Sequence, residues 1–310
     1  MTTAYYQYPL ERFFIKIIKN DHFVMSRFND GEWYCMRKEY RNNLESHPCY
    51  DQLSKDMRNA ITNPDNYKAW LEDKYLFQAS FFWKRWREDY IKWDLKIKFI
   101  QNDIVHVLSR EQPRAWIKLI DILNTKNIII VGPDHIKKFT KLKYEHFIDI
   151  PYRKCYLSKV YVIYTLCKKL NILEDYISNK KVKYDPDIEK PESIFNMNKS
   201  VNIYNKLESV NNMTPVNPIT PVTPITPVTP ITPVNNVTSN KEYVVLMCSG
   251  MLSNCVIDEL FPFIKDKHTI LDFGSVFDIF INDPRIVRRS VVKNEKLQKI
   301  RKSYPSDWIF

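Results

Sequence analysis

Residues 242–250 read EYVVLMCSG, and the runs that follow them decide the fold class. The apolar block YVVLM leaves no polar face. A strand of that kind is buried on both sides, as inside a parallel sheet covered by helices. LSNCVIDELFPFI (252–264) follows with helical spacing, and HTILDFGS (268–275) reads as the next strand. Upstream, NIIIVGP (127–133) repeats the pattern of a short apolar run ending in a turn, and HFIDIP (146–151), HFVMSRF (22–28) and KYLFQASFF (74–82) are further strand candidates. Helical spacing marks YDQLSKDMRNAI (50–61), KRWREDYIKWDLKIKFI (84–100), PRAWIKLIDILN (113–124) and KCYLSKVYVIYTLCKKL (154–170). DIVHVLS (103–109) reads as a strand. The alternation predicts one α/β domain, Rossmann-like, with a mainly parallel sheet flanked by helices.

One segment interrupts that alternation. In TPVNPITPVTPITPVTPITPV (214–234), proline recurs at every third position from Pro215 to Pro233. A period of three suits a polyproline II helix, and proline removes the backbone donors a sheet needs. Residues 180–240 are expected to be a disordered, low-complexity Pro/Thr-rich insert that packs no core, acting as a spacer. Strand-like units lie on both sides, so residues 1–179 and 241–284 are two parts of one domain. Residues 285–310 then form a basic C-terminal tail.

The chain carries a formal charge of +11, and eight Lys or Arg face two acids in the tail. Such a surface suits polyanions: phosphate-bearing ligands, acidic membranes or nucleic acid. The six cysteines show neither a C-x-x-C pair nor metal-ligand spacing, and Cys167, Cys248 and Cys255 lie in apolar runs as core residues. The N-terminal stretch has no signal-peptide pattern. No run approaches the roughly 18 apolar residues of a transmembrane helix. A cytoplasmic protein is expected, with peripheral membrane contact through the tail as an option.

There are only four glycines, Gly31, Gly132, Gly250 and Gly274, and each closes an apolar, strand-like run. Ligands of open α/β sheets bind beyond the carboxyl ends of the strands. Glycine there permits tight turns and close approach of a ligand to the backbone. Acids accompany two of them: Asp30 and Glu32 flank Gly31, and Asp272 and Asp278 flank Gly274. Carboxylates two residues apart can converge on a hard cation such as Mg²⁺ or Mn²⁺. As a bare pattern, D-x-E is far more often a turn with solvated acids than a metal site.

SRFNDGEW (26–33) resembles the signature of the GT-D-type glycosyltransferases, which carry R-F-x-D-G-E followed by an aromatic or aliphatic residue after their first strand. NIIIVGP is similar to that family's central strand and loop. VVLMCSGMLSNCVIDEL followed by TILDFGSVFD resembles its closing β-α-β unit. The likeness spans about residues 15–40, 125–170 and 242–282. It implies a glycosyltransferase moving a sugar from a nucleotide-sugar, typically a UDP-sugar, to a hydroxyl of a glycan or glycoprotein acceptor. Asp30 and Glu32 would hold a divalent metal, Mn²⁺ or Mg²⁺, against the donor diphosphate. Arg27 would contact phosphate or fix the loop, and Gly31 would let the diphosphate approach. Gly132 and the loops at Ser249-Gly250 and Gly274-Ser275 would line the nucleotide-sugar cleft. The chain departs from the family at Asn29, where glycine is usual, and at Ser275, where histidine is. Asp278 is therefore the candidate general base, with inversion favoured.

The six histidines, at 22, 47, 106, 135, 146 and 268, are scattered and read as structural, His135 being the best exception because it follows a strand-end loop. Trp86, Tyr90 and Trp93 share one helical face and are expected in the core rather than stacked on bases. The rival function is a non-catalytic polyanion-binding protein, with nucleic acid as its less favoured partner. No G-x-G-x-x-G or P-loop is present, which argues against other nucleotide-binding enzymes.

Overall fold

The computed structural model describes residues 4–37, 50–79, 84–101, 103–150, 159–180, 241–282 and 295–310. The proline repeat and the rest of 181–240 lie outside them, as do 283–294 and the side chains of Asp30, Tyr50, Asp51, Lys84 and Arg85. Eight strands form one sheet: β1 (Tyr5–Tyr6), β2 (Val24–Arg27), β3 (Tyr75–Ala79), β4 (Phe99–Gln101), β5 (Ile128–Gly132), β6 (His146–Asp149), β7 (Val244–Met247) and β8 (Thr269–Asp272). Their order is β1-β4-β3-β2-β8-β7-β5-β6, and every pair is parallel. Strands β5 and β7 are continuous apolar runs buried at every residue, and β2, β3 and β8 are buried throughout although they carry Ser26, Arg27, Gln78, Thr269 and Asp272.

The described helices are α1 (Leu10–Lys19), α2 (Asp30–Met36), α3 (Tyr50–Thr62), α4 (Pro64–Leu71), α5 (Lys84–Lys92), α6 (Ile104–Glu111), α7 (Pro113–Leu123), α8 (Lys159–Lys169), α9 (Leu173–Lys180), α10 (Met251–Ile264) and α11 (Glu295–Arg301). They cover both faces of the sheet. Crossovers β2→β3, β3→β4, β6→β7 and β7→β8 run one way along it, and α2–α5 and α8–α10 pack in one apolar layer. Crossovers β1→β2, β4→β5 and β5→β6 run the other way, and α1, α6, α7 and the 3-10 turn Asp134–Lys138 pack in the second layer. Direction and face agree throughout, as a constant crossover hand demands. The chain leaves β2 and β7 toward the first layer but leaves β8, which lies between them, toward the second. A crevice opens where neighbouring strands part in this way.

Four local expectations are corrected. DIVHVLS is not a strand. Its apolar residues 104, 105, 107 and 108 fit a helix equally well, and Asp103 caps α6 by accepting the His106 N–H at 3.2 Å. The helix expected over 84–100 stops at Lys92, and Phe99–Gln101 is β4. Asp30-Gly31-Glu32 is not a turn but the first turn of α2, where Glu32 Oε2 accepts the Asn29 N–H at 2.9 Å. Lastly, residues 295–310 pack on the domain: Tyr304 and Trp308 are buried in the second layer, the Tyr304 hydroxyl donates to Ser109 O at 2.6 Å, and Phe310 N donates to Phe280 O at 2.9 Å. The core cysteines are buried as expected, and Trp86 and Tyr90 face the core, where Trp86 stacks on Trp33. No helix among the described residues is long and apolar enough to cross a membrane.

Candidate functional site

Arg27, the last residue of β2, is the centre of the crevice. Its register partner on β3 is Gln78, and β8, on its other side, ends at Asp272. The Arg27 guanidinium forms an ion pair with Asp103, the cap of α6, and Nη2 lies 3.3 Å from His106 Nε2. Its Nη1 lies over Gly274, where an added Cβ would fall 1.5 Å away. Gln78 Oε1 accepts the Ile104 N–H at 3.0 Å and fixes the start of α6. Asn254 of α10 donates to Arg27 O at 2.6 Å. One buried arginine thus ties together β2, β8, α6 and α10. Sequence reasoning left open whether Arg27 contacts phosphate or fixes a loop; its contacts within the chain are those of a fixing residue.

The charges around it are unbalanced. Burial alone would depress the guanidinium, but Asp103, Asp272 and Glu32 together hold it above the ordinary arginine value. Burial would raise the Asp103 carboxyl, yet Arg27 and His106 hold it below the usual carboxylate range. Asp272 receives less help. Burial pushes its carboxyl up to about 8 against the pull of Arg27, and Glu32 and Asp103 add to the rise. Its Oδ1 accepts the Gly274 N–H at 2.9 Å. With Asp272 holding its proton near neutral pH, the Asp103 and Glu32 carboxylates still outnumber the one guanidinium.

The other expected site residues are distributed along the same sheet end. Gly250 and Gly274 have φ of +58° and +50°, the left-handed region that favours glycine. Ser249 is buried, 3.2 Å from Ser253 Oγ to Oγ. Ser275 precedes the 3-10 turn Val276–Phe280, each residue of which is buried, Asp278 included. Gly132 lies on β5, away from Arg27, and a Cβ there would meet Cys248 Cβ and Ile136 Cδ1 at 2.9 Å, so close packing accounts for it. Gly31 is different. A Cβ there meets no atom within 4 Å, and its backbone is helical. Among the described residues, nothing in the fold requires glycine at 31.

The oxygen donors present suit a hard cation. Glu32 is buried, and one of its oxygens is committed to Asn29 N–H. The backbone of Asp30 opens α2, while its side chain lies outside the described residues. Among the described residues there is no group of three His, Cys, Asp or Glu that could hold a metal. An ion held here would take further ligands from its substrate and from water, the habit of Mg²⁺.

Sequence reasoning missed Asp103, His106 and Gln78. Reading 103–109 as a strand hid the capping aspartate, and no pattern links Arg27 to a histidine 79 positions away. Comparison of the chain with family models, with curated proteins and with solved structures finds no match.

Proposed function

We propose that the protein is a glycosyltransferase that takes a sugar from a nucleotide-sugar, a UDP-sugar in the first instance, with the help of Mn²⁺ or Mg²⁺. The observation that carries this reading is Gly31. It stands in the S-R-F-N-D-G-E stretch resembling the GT-D-type signature, at the carboxyl end of β2, and opens onto space that no described atom fills. Open space at the place of a Gly31 side chain, beside Glu32 and at the parting of β2 and β8, is what a diphosphate approaching a carboxylate-held cation needs. The excess of carboxylates over cations around Arg27 favours a bound cation too. Asp30 and Glu32 would hold that ion, which would neutralise the diphosphate as it leaves. Ser249, Gly250, Gly274 and Ser275 would border the cleft, with a hydroxyl of a glycan or glycoprotein as acceptor.

Calorimetry with UDP tests this, with and without Mn²⁺, on the wild type and on Asp30→Ala/Glu32→Ala. The expected result is binding that requires Mn²⁺ and is lost in the double variant. Binding indifferent to both would move the nucleotide site away from α2. Absence of UDP binding beside tight, salt-sensitive binding to nucleic acid would favour the polyanion-binding rival.

A further inference from the structure

The carboxylates assigned to the cation stand on a short helix. α2 has seven residues, below the roughly 12–15 that an isolated helix needs, so what packs on it sets its position. Side chains of α5 and α3 do this on the part that follows Glu32. Trp33 is fully buried and sandwiched between Trp86 and Trp93, with ring centroids 5.3 and 5.6 Å away and interplanar angles of 16° and 8°. The spacing follows from the sequence. The hydrogen bonding of α5 runs on to Trp93, whose N–H donates to Asp89 O at 2.8 Å. Seven helical residues rise about 10.5 Å, room for one indole between the two rings. Trp33 Nε1 has no acceptor among the described residues, so stacking fixes this ring.

Arg58 of α3 closes the stack. Its guanidinium lies 5.4 Å from the centroid of the Trp93 ring. Its Nε donates to Met36 O, at the last residue of α2, at 2.8 Å, and Nη2 donates to the same oxygen. A carbonyl at that end has no partner inside the helix, and a cation there also suits the helix dipole. Arg37, which ends α2, forms an ion pair with Asp89 of α5.

We propose that the Trp86–Trp33–Trp93 stack, closed by Arg58, sets the position of Asp30 and Glu32 at the crevice, and that Trp93 and Arg58 are positioning residues for the cation they would hold; the inference rests on the transferase reading above. Trp33 adjoins Glu32 within one helical turn, so a tilt of its ring moves the carboxylate. Arg58 needs its planar fork, because it must lie on an indole and bond a carbonyl at once, which a lysine ammonium cannot do.

The test uses the full-length chain and Mn²⁺ alone, followed by calorimetry, with UDP binding measured in parallel. Arg58→Lys is expected to weaken Mn²⁺ binding about tenfold, and Trp93→Phe, which keeps an aromatic ring, to weaken it less. Ile120→Val, which loosens the apolar layer on the other face of the sheet, should leave it unchanged. Mn²⁺ should also alter the near-ultraviolet circular dichroism of the coupled indoles in the wild type and not in Asp30→Ala/Glu32→Ala, a response that a merely structural stack would not give. Wild-type Mn²⁺ affinity in both Arg58→Lys and Trp93→Phe overturns the proposal and leaves Mn²⁺-dependent UDP binding standing. An equal loss in Ile120→Val overturns it too, since affinity would then follow overall stability. A wild type that binds neither Mn²⁺ nor UDP removes both readings.

Discussion

Two glycines of this chain carry opposite consequences for substitution. Gly274 has φ of +50° and the Arg27 guanidinium over the place of its missing side chain. Gly274→Ala should cost about 1–2 kcal/mol for the backbone alone, and more because a buried ion-paired arginine must shift. Gly31 lies in the first turn of α2 with room for a methyl group. Gly31→Ala should raise stability by about 0.5 kcal/mol through the unfolded chain, while weakening Mn²⁺-dependent UDP binding at least tenfold. Urea unfolding and calorimetry on the same samples separate the two effects. A variant with unchanged UDP affinity would place the diphosphate elsewhere.

At the scale of elements, α6 brings Asp103 and His106 to the crevice, and Asp103 has two tasks there: it caps the helix and neutralises Arg27. Asp103→Ala removes both and leaves a buried guanidinium short of a counter-ion, at a cost of about 3–5 kcal/mol. Asp103→Asn keeps a capping oxygen and should lose less. Denaturant midpoints for the two variants check the order, and equal losses would show that the charge alone matters. The same element shows how far the sequence could be read. Long apolar runs such as NIIIV and YVVLM identified their strands, because burial on both faces leaves a continuous signature. DIVHVLS had no such signature; its pattern fits two periods, and only the capping aspartate distinguishes them. Glu32, three residues after Asn29, was a capping signal overlooked because Gly31 suggested a turn. The two residues of β1 and three of β4 are too few to show a period at all. The D-G-E stretch was legible as a candidate site, whereas the acids and the imidazole gathered around Arg27 arrive from distant segments and were not.

The stability of the whole molecule should carry the mark of Asp272. Its folded value, about 8, lies above its unfolded value, so the native state holds a proton that the unfolded chain has released. Between about pH 4 and about pH 8 this group alone makes stability fall as pH rises, by at most about 1.4 kcal/mol per pH unit. Asp272→Asn cannot titrate, so its stability relative to the wild type should climb across that window. Parallel pH curves for the two proteins, measured by urea unfolding, would refute the assignment. Another global consequence lies in the order of the strands. β7 and β8 come last in the chain yet stand in the middle of the sheet, where Val24 of β2 pairs with Ile270 of β8 and Ile128 of β5 with Val244 of β7. Without those two strands the observed pairing leaves two half-sheets, β1-β4-β3-β2 and β5-β6, each with a strand edge unpaired. Bare edges invite pairing with other chains, and contacts so distant in sequence form slowly. The nascent chain must keep β2 and β5 unpaired until the last two strands seat between them, and the crevice forms in that same closing event.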